Sequence, residues 1–197
     1  SEITAFDVFG GIGISAGIAF ARAAKGAYDF EKQFQQSMKE VATLSNGIKG
    51  SLTDYMNQVM EITRVVPVEA NEAAKALYQI VSAGHDGVNG MKVLEASAKA
   101  AVGGVTDTAT AADAITTVLN AYKLDASKAQ EVSDQLFTTV RLGKTDFGQL
   151  GKSIAQAAPI AASFGIDIKE VLGAVASITK QGVPTSEAMT KIRAAIL

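Results

Sequence analysis

The chain has 197 residues, a formal net charge of −2 and a pI near 5.5, so no basic field draws it to nucleic acid or to an anionic membrane surface. It has no Cys and no Trp, and aromatic residues make up only 6%, which removes disulfides, thiolate metal sites and most stacking platforms for sugars or bases. Ala is the commonest residue and Gly follows with 18; a core of Ala, Val, Ile and Leu suits closely packed helices.

In chain order, the stretch VFGGIGISAGIAFA (Val8 to Ala21) is uncharged and Gly-rich. It is shorter than the roughly 18 to 20 apolar residues that span a bilayer. No basic region precedes it and Asp7 adjoins it, so it does not read as a signal peptide. From Phe20 through Ala23, Ala27, Phe30, Phe34, Met38 and Val41 to Leu44, apolar residues recur every three or four positions, which predicts one long amphipathic helix with near-coiled-coil spacing. SNGIKGS (Ser45 to Ser51) breaks it.

Leu52, Tyr55, Met56, Val59 and Ile62 predict the next helix, with Ser51 or Thr53 as its cap. Pro67 closes it and opens EANEAAKALYQIVSA, which stops at Gly84. GHDGVNG reads as a turn, MKVLEASAKAAV as a helix ended by Gly103-Gly104, and TATAADAITTVLNAY as a helix capped by Thr106 or Asp107. Asp125 caps the helix that ends at Gly143, and Thr145 or Asp146 caps one carrying Phe147, Leu150, Ile154, Ala157 and Ala158, which Pro159 bends or restarts. Asp167 caps IKEVLGAVASITKQ, Gly182 stops it, and a last helix follows Pro184. AYKLDASKAQEV and SFGIDIKEVLGA repeat one order of features 42 positions apart, at Asp125 and Asp167.

No run argues for a strand. The expected fold is all-α: an array of short antiparallel helices preceded by a long N-terminal helix. Residues 1–45 form the Gly-rich segment with that helix, and 46–197 form the helical domain. The chain starts at Ser1 and stops in a helical run, MTKIRAAIL, and so reads as a fragment of a longer protein.

Several short motifs imitate chemistry. Gly151-Lys152-Ser153 ends like a phosphate-binding loop, but the first glycine of that pattern falls on Asp146, and no strand precedes it. Gly11 to Ala16 fits the dinucleotide pattern, yet the acidic residues at the right distance, Asp29 and Glu31, lie in a helical stretch. Gly13-Ile14-Ser15-Ala16-Gly17 fits a nucleophile elbow without a sheet to strain it, and His85 is the only His. That lone His in a turn has no second ligand at a metal spacing. No catalytic, cofactor-binding or metal residues are expected. Gly13, Gly17 and Ala21 instead form a small-residue row suited to close helix packing. With Phe30, Phe34 and Met38 they are the candidate helix-packing or self-association residues.

The segments FEKQFQQSMKEVATLS, EANEAAKALYQIVSAGHDG, AADAITTVLNAYKLD, FGQLGKSIAQAAPIAASFGIDIKEVLGAVASITKQG and AMTKIRAAIL resemble, in sequence and order, the family domain of phage tail tape measure proteins. AAPIAASFGIDIKEV is the most specific stretch, and the resemblance runs from about Phe30 to the end. His85 stands where the family's pattern leads one to expect an apolar or aromatic residue. The resemblance implies a structural protein in the virion, inside the tail tube or tail tip. It implies a role in setting tube length during assembly and release through the tail at infection. Implied partners are tail-tube and tail-tip or baseplate proteins, an assembly chaperone and further copies of the chain, plausibly as a trimer; no cofactor and no specific nucleic acid are implied. The alternative class is a membrane-active helical module in which Val8 to Ala21 inserts into the host envelope during genome delivery.

Overall fold

The computed structural model describes residues 5–45 and 52–197, with side chains from Lys25 onward. Among the described residues ten α-helices account for the regular structure: α1 (Ala5–Leu44), α2 (Leu52–Val65), α3 (Ala70–Ser82), α4 (Gly87–Gly104), α5 (Thr108–Ala121), α6 (Ala129–Leu142), α7 (Phe147–Ser153), α8 (Ala158–Ser163), α9 (Ile168–Lys180) and α10 (Thr185–Ile196). Short 3-10 turns at Ala126–Lys128 and Ile154–Gln156 precede α6 and join α7 to α8. The described residues contain no strand.

The helices fold back on one another because the chain supplies a stop and a cap every 18 to 21 residues. Asp86, Asp107, Asp125, Asp146 and Asp167 each stand at an N-cap in extended backbone. Each carboxylate accepts from a backbone N–H of the new helix or turn: Gly87, Thr110, Ser127, Gln149 and Lys169 respectively, at 2.6 to 2.9 Å. This satisfies donors that a helix start leaves open and places negative charge at the positive end of its dipole.

Four of these junctions share one backbone design. Gly84, Val105, Lys123 and Gly165 take left-handed φ values of 94°, 50°, 52° and 74°. The N–H of the following residue reaches back five positions, from His85 to Ile80, Thr106 to Ala101, Leu124 to Leu119 and Ile166 to Ala161, at 2.8 to 3.1 Å. That is the longer bond of a Schellman closure, and the capping Asp follows at once. The repeat visible at Asp125 and Asp167 is therefore two members of a set of four.

Ala-rich faces let these helices approach closely. Ala73, Ala74, Ala96, Ala100, Ala111, Ala112 and Ala114 are buried with Leu77, Ile80, Leu94, Ile115, Val118, Leu119, Leu136, Leu150 and Ile154 in one core. α5 runs through its centre, against α3, α4, α6, α7 and α8. Phe147, Leu150, Ile154, Ala157 and Ala158 all enter this core, and Pro159 restarts the helix as part of the first turn of α8.

The boundaries correct the sequence reading at several points. GHDGVNG is not wholly a turn: Asp86 caps it, and Gly87 to Gly90 already form the first turn of α4. α4 ends at Gly104, so both glycines belong to its last turn rather than following it, and the left-handed residue is Val105. Their glycine is needed for space. A Cβ on Gly104 would stand 2.6 Å from Phe147 Cβ, and one on Gly103 would stand 3.2 Å from Phe137 Cζ. Thr53 lies inside α2 rather than at its cap, while Ser51 falls outside the described residues. Pro67 follows the end of α2, but α3 starts only at Ala70. Asp107 and Asp146, and not Thr106 and Thr145, are the caps of α5 and α7.

Candidate interaction surface

α1 meets the rest of the molecule through its last three turns. It runs parallel to α3: Asn71 Nδ2, at the start of α3, donates to Gln33 Oε1 at 3.3 Å. At the other end, Ser45 Oγ donates to Asp86 Oδ1 at 2.6 Å. Between these two contacts Phe34 and Met38 are 2% and 0% exposed, and Val41 is buried beside them. Upstream, every residue from Lys25 to Gln33 is exposed, Tyr28 at 68% and Phe30 at 39%. Phe30 stacks on Phe34 with centroids 6.3 Å apart and planes 7° from parallel, so the apolar stripe continues unbroken from the core onto the exposed part of the helix.

Of the six residues singled out from sequence, the structure thus brings Phe34 and Met38 into the chain's own core and leaves Phe30 at its edge. Gly13, Gly17 and Ala21 lie on α1, and their surroundings are outside the described residues. Where α1 leaves α3 there is a polar crevice of about 610 Å³ lined by Asp29, Lys32, Gln33, Gln36, Ser37, Asn71 and Lys75. Asn71 Oδ1 is buried there without a hydrogen-bond partner. Two shallower apolar grooves cross the array. One of about 370 Å³ runs between α2 and α4 past Ile62, Val65, Val88 and Met91. The other, of about 480 Å³, runs between α6 and α9 past Leu142, Leu172, Gly173 and Ala176.

Asp86 ties α1 into the array. Besides Ser45 Oγ and the Gly87 amide it accepts from the Tyr55 hydroxyl at 3.4 Å, joining the ends of α1 and α4 to α2. Burial first, and then the charge of Asp86, push the Tyr55 phenol up to about 12. His85 beside it uses Nε2 with Asn120 Oδ1 at 3.0 Å, and Asn120 Nδ2 donates to the Ala83 carbonyl at 2.9 Å. His85 occupies the junction position that Leu124 and Ile166 hold elsewhere. It bridges α3 to α5 by hydrogen bonds, whereas Leu124 and Ile166 pack as partly buried apolar residues against the core.

The stretch that imitates a phosphate-binding loop dissolves into packing, whereas the surroundings of Gly11 to Gly17 are outside the described residues. Asp146 caps α7, and Gly151 faces α5, where a Cβ would meet Thr110 Cγ2 at 3.0 Å. The glycine before Lys152 is there for helix contact, not for wrapping a phosphate. Partial burial alone would raise the Asp107 carboxyl. Hydrogen bonds from the Thr110 hydroxyl and amide, with the charge of Lys152, hold it below its ordinary value instead. Glu72 of α3 accepts from both the amide and the hydroxyl of Thr108, at 2.6 and 2.7 Å, and so helps to hold the start of α5. Among the described residues no group of three or more His, Asp or Glu could hold a metal ion. Likewise no described helix is long and apolar enough to cross a membrane.

Comparison with known proteins sets the chain beside phage tail proteins. The family described as phage-related minor tail protein matches residues 56–197. A probable tape measure protein of Clostridium phage phiCD119 is 31% identical over 163 residues, covering 81% of this chain and 17% of that protein. A tape measure protein of Pneumococcus phage Dp-1 is 23% identical over 164 residues, covering 83% of this chain and 14% of that protein. The chain thus spans less than a fifth of the length of either relative. No solved structure matches.

Proposed function

This chain belongs to the phage-related minor tail protein family, with the tape measure proteins among its relatives, and on that premise we propose that it is a folded structural segment of a tape measure protein in the phage tail. The observation that carries the reading is the family match, which takes in α3 to α10 whole. In this reading the parent protein lies in the tail tube or tail tip, helps set the length of the tube as it assembles, and leaves through the tail at infection. The segment contributes a compact helical body, with α1 as its arm. Tail-tube and tail-tip or baseplate proteins and an assembly chaperone are the partners. Further copies of the chain associate through the exposed part of α1, a role supported by Tyr28 and Phe30 on its surface.

The test is tail length by electron microscopy after in-frame deletion of Ala126 to Leu142 from the parent. A folded body predicts tails of unchanged length that fail in assembly or infection. Shortening by about 25 Å, at about 1.5 Å for each residue removed, would mean that this region lies extended along the tube. Unchanged length together with normal infectivity would remove the tail role altogether.

A further inference from the structure

The four left-handed junctions are alike in backbone but not in residue. Gly84 and Gly165 take the left-handed conformation without steric cost, whereas Val105 and Lys123 carry a Cβ that crowds the following carbonyl. Val105 is the extreme case, because a β-branched residue at positive φ is an outlier. It is 94% exposed, so no packing contact selects it there. The strain disappears if Val105 turns right-handed, and α4 then runs on into α5 as one helix from Gly87 to Ala121, about 50 Å long at about 1.5 Å per residue. Nothing covalent opposes this: the three prolines lie at 67, 159 and 184, so every amide across the junction can donate.

Straightening within a single copy would strip α5 from the core, which no relief at one residue could offset. Exchange between two copies keeps the core. The part of one chain after the junction packs on the part before the junction in the other, and the contacts that cross it re-form between chains. The Thr108 hydroxyl still meets Glu72, His85 still meets Asn120, and Phe147 still sits against Gly104. Lost are the cap of Asp107, the closure of Thr106 on Ala101 and the bond from the Thr108 amide to Glu72, since in a continuous helix that amide donates to the Gly104 carbonyl. We propose that the α4–α5 junction is a hinge at which this chain exchanges its C-terminal helices with a second copy, driven by the left-handed strain at Val105. Lys123 is the weaker hinge, since it is unbranched and the Tyr122 hydroxyl beside it is anchored on the Ile166 carbonyl at 3.1 Å.

The experiment refolds the full chain from denaturant over a range of protein concentrations and measures mass by size exclusion with light scattering. The expected result is a dimer whose fraction rises with refolding concentration and which separates only over times comparable to unfolding. Val105→Gly removes the strain from the closed turn and should lower the dimer fraction roughly tenfold, while Lys123→Gly should leave it unchanged. Absence of a dimer at every concentration would overturn the proposal. So would a dimer that persists in Val105→Gly or that exchanges subunits rapidly; such a dimer would be held by a surface such as the exposed part of α1.

Discussion

α1 carries one apolar stripe with two fates. From Phe34 to Val41 the stripe is sealed against α3, and from Lys25 to Gln33 the same helix with the same periodicity stands in solvent. Periodicity therefore says that a helix has a partner face without saying whose. What decides is reach: α3 begins at Ala70, level with Gln33 through the Asn71 contact, and from Lys25 to Gln33 no described residue covers α1.

The sharpest way to break this comparison is to truncate each side of the boundary. Met38→Ala should cost about 2–5 kcal/mol in chemical denaturation, as for other large buried side chains cut to Ala. An equal loss from Phe30→Ala would mean that the exposed part of α1 is packed in solution. Next is the tie at the other end of α1. Asp86→Ala removes the acceptor shared by Ser45, Tyr55 and the start of α4, and should cost about 1–3 kcal/mol. Proteolysis should then cut between α1 and α2 sooner than in the native chain.

A titration reads the same tie without mutation. The folded Tyr55 phenol sits at about 12 against 10.0 for its ordinary value. The unfolded chain therefore ionises first, and the stability this group contributes is whole below pH 10 and is lost as pH rises towards 12. Helicity and the part of the phenolate absorbance that Tyr55→Phe removes should change together over that window, and ionisation of Tyr55 with helicity unchanged would count against its burial. At the acid end Asp107 and Asp125 are held low, Asp125 chiefly by hydrogen bonds from the Ser127 hydroxyl and amide. Their contribution is present above about pH 4 and falls away as pH drops through the lowered values. Denaturation monitored from pH 5 downward should show it, and Asp107→Asn should flatten the slope. The smallest expected effect is that of Phe30→Ala on stability, at most about 1 kcal/mol for a side chain only partly covered; its larger consequence should be weaker association of copies in sedimentation.

The helical class, the helix order and the caps Asp125 and Asp167 were legible in the sequence, and Asp107 and Asp146 were each narrowed to a Thr-Asp pair, because caps and apolar spacing are local signals. Asp86 was hidden by its neighbours. Gly84, Gly87 and Gly90 made GHDGVNG look like continuous turn, and His85 masked the likeness of that junction to Leu124-Asp125 and Ile166-Asp167. Gly103-Gly104 looked like a helix stop, because the reasons for two small residues there are the distant Phe137 and Phe147. The same limit applied to the surface. Phe30, Phe34 and Met38 read as equivalent along the stripe, and only the position of α3 separates them.

The spacing of the five Asp caps also governs how this body can change length. Successive caps are 21, 18, 21 and 21 residues apart, so the one short interval differs from the others by close to a full helical turn. Losing one residue from a helix such as α5 would rotate everything downstream by about 100°, swinging an Ala-lined inner face out to water. Losing three or four brings the face back almost into register. Insertions and deletions in related chains should accordingly come in threes and fours within helices, and only between a left-handed residue and its Asp should the count be invariant.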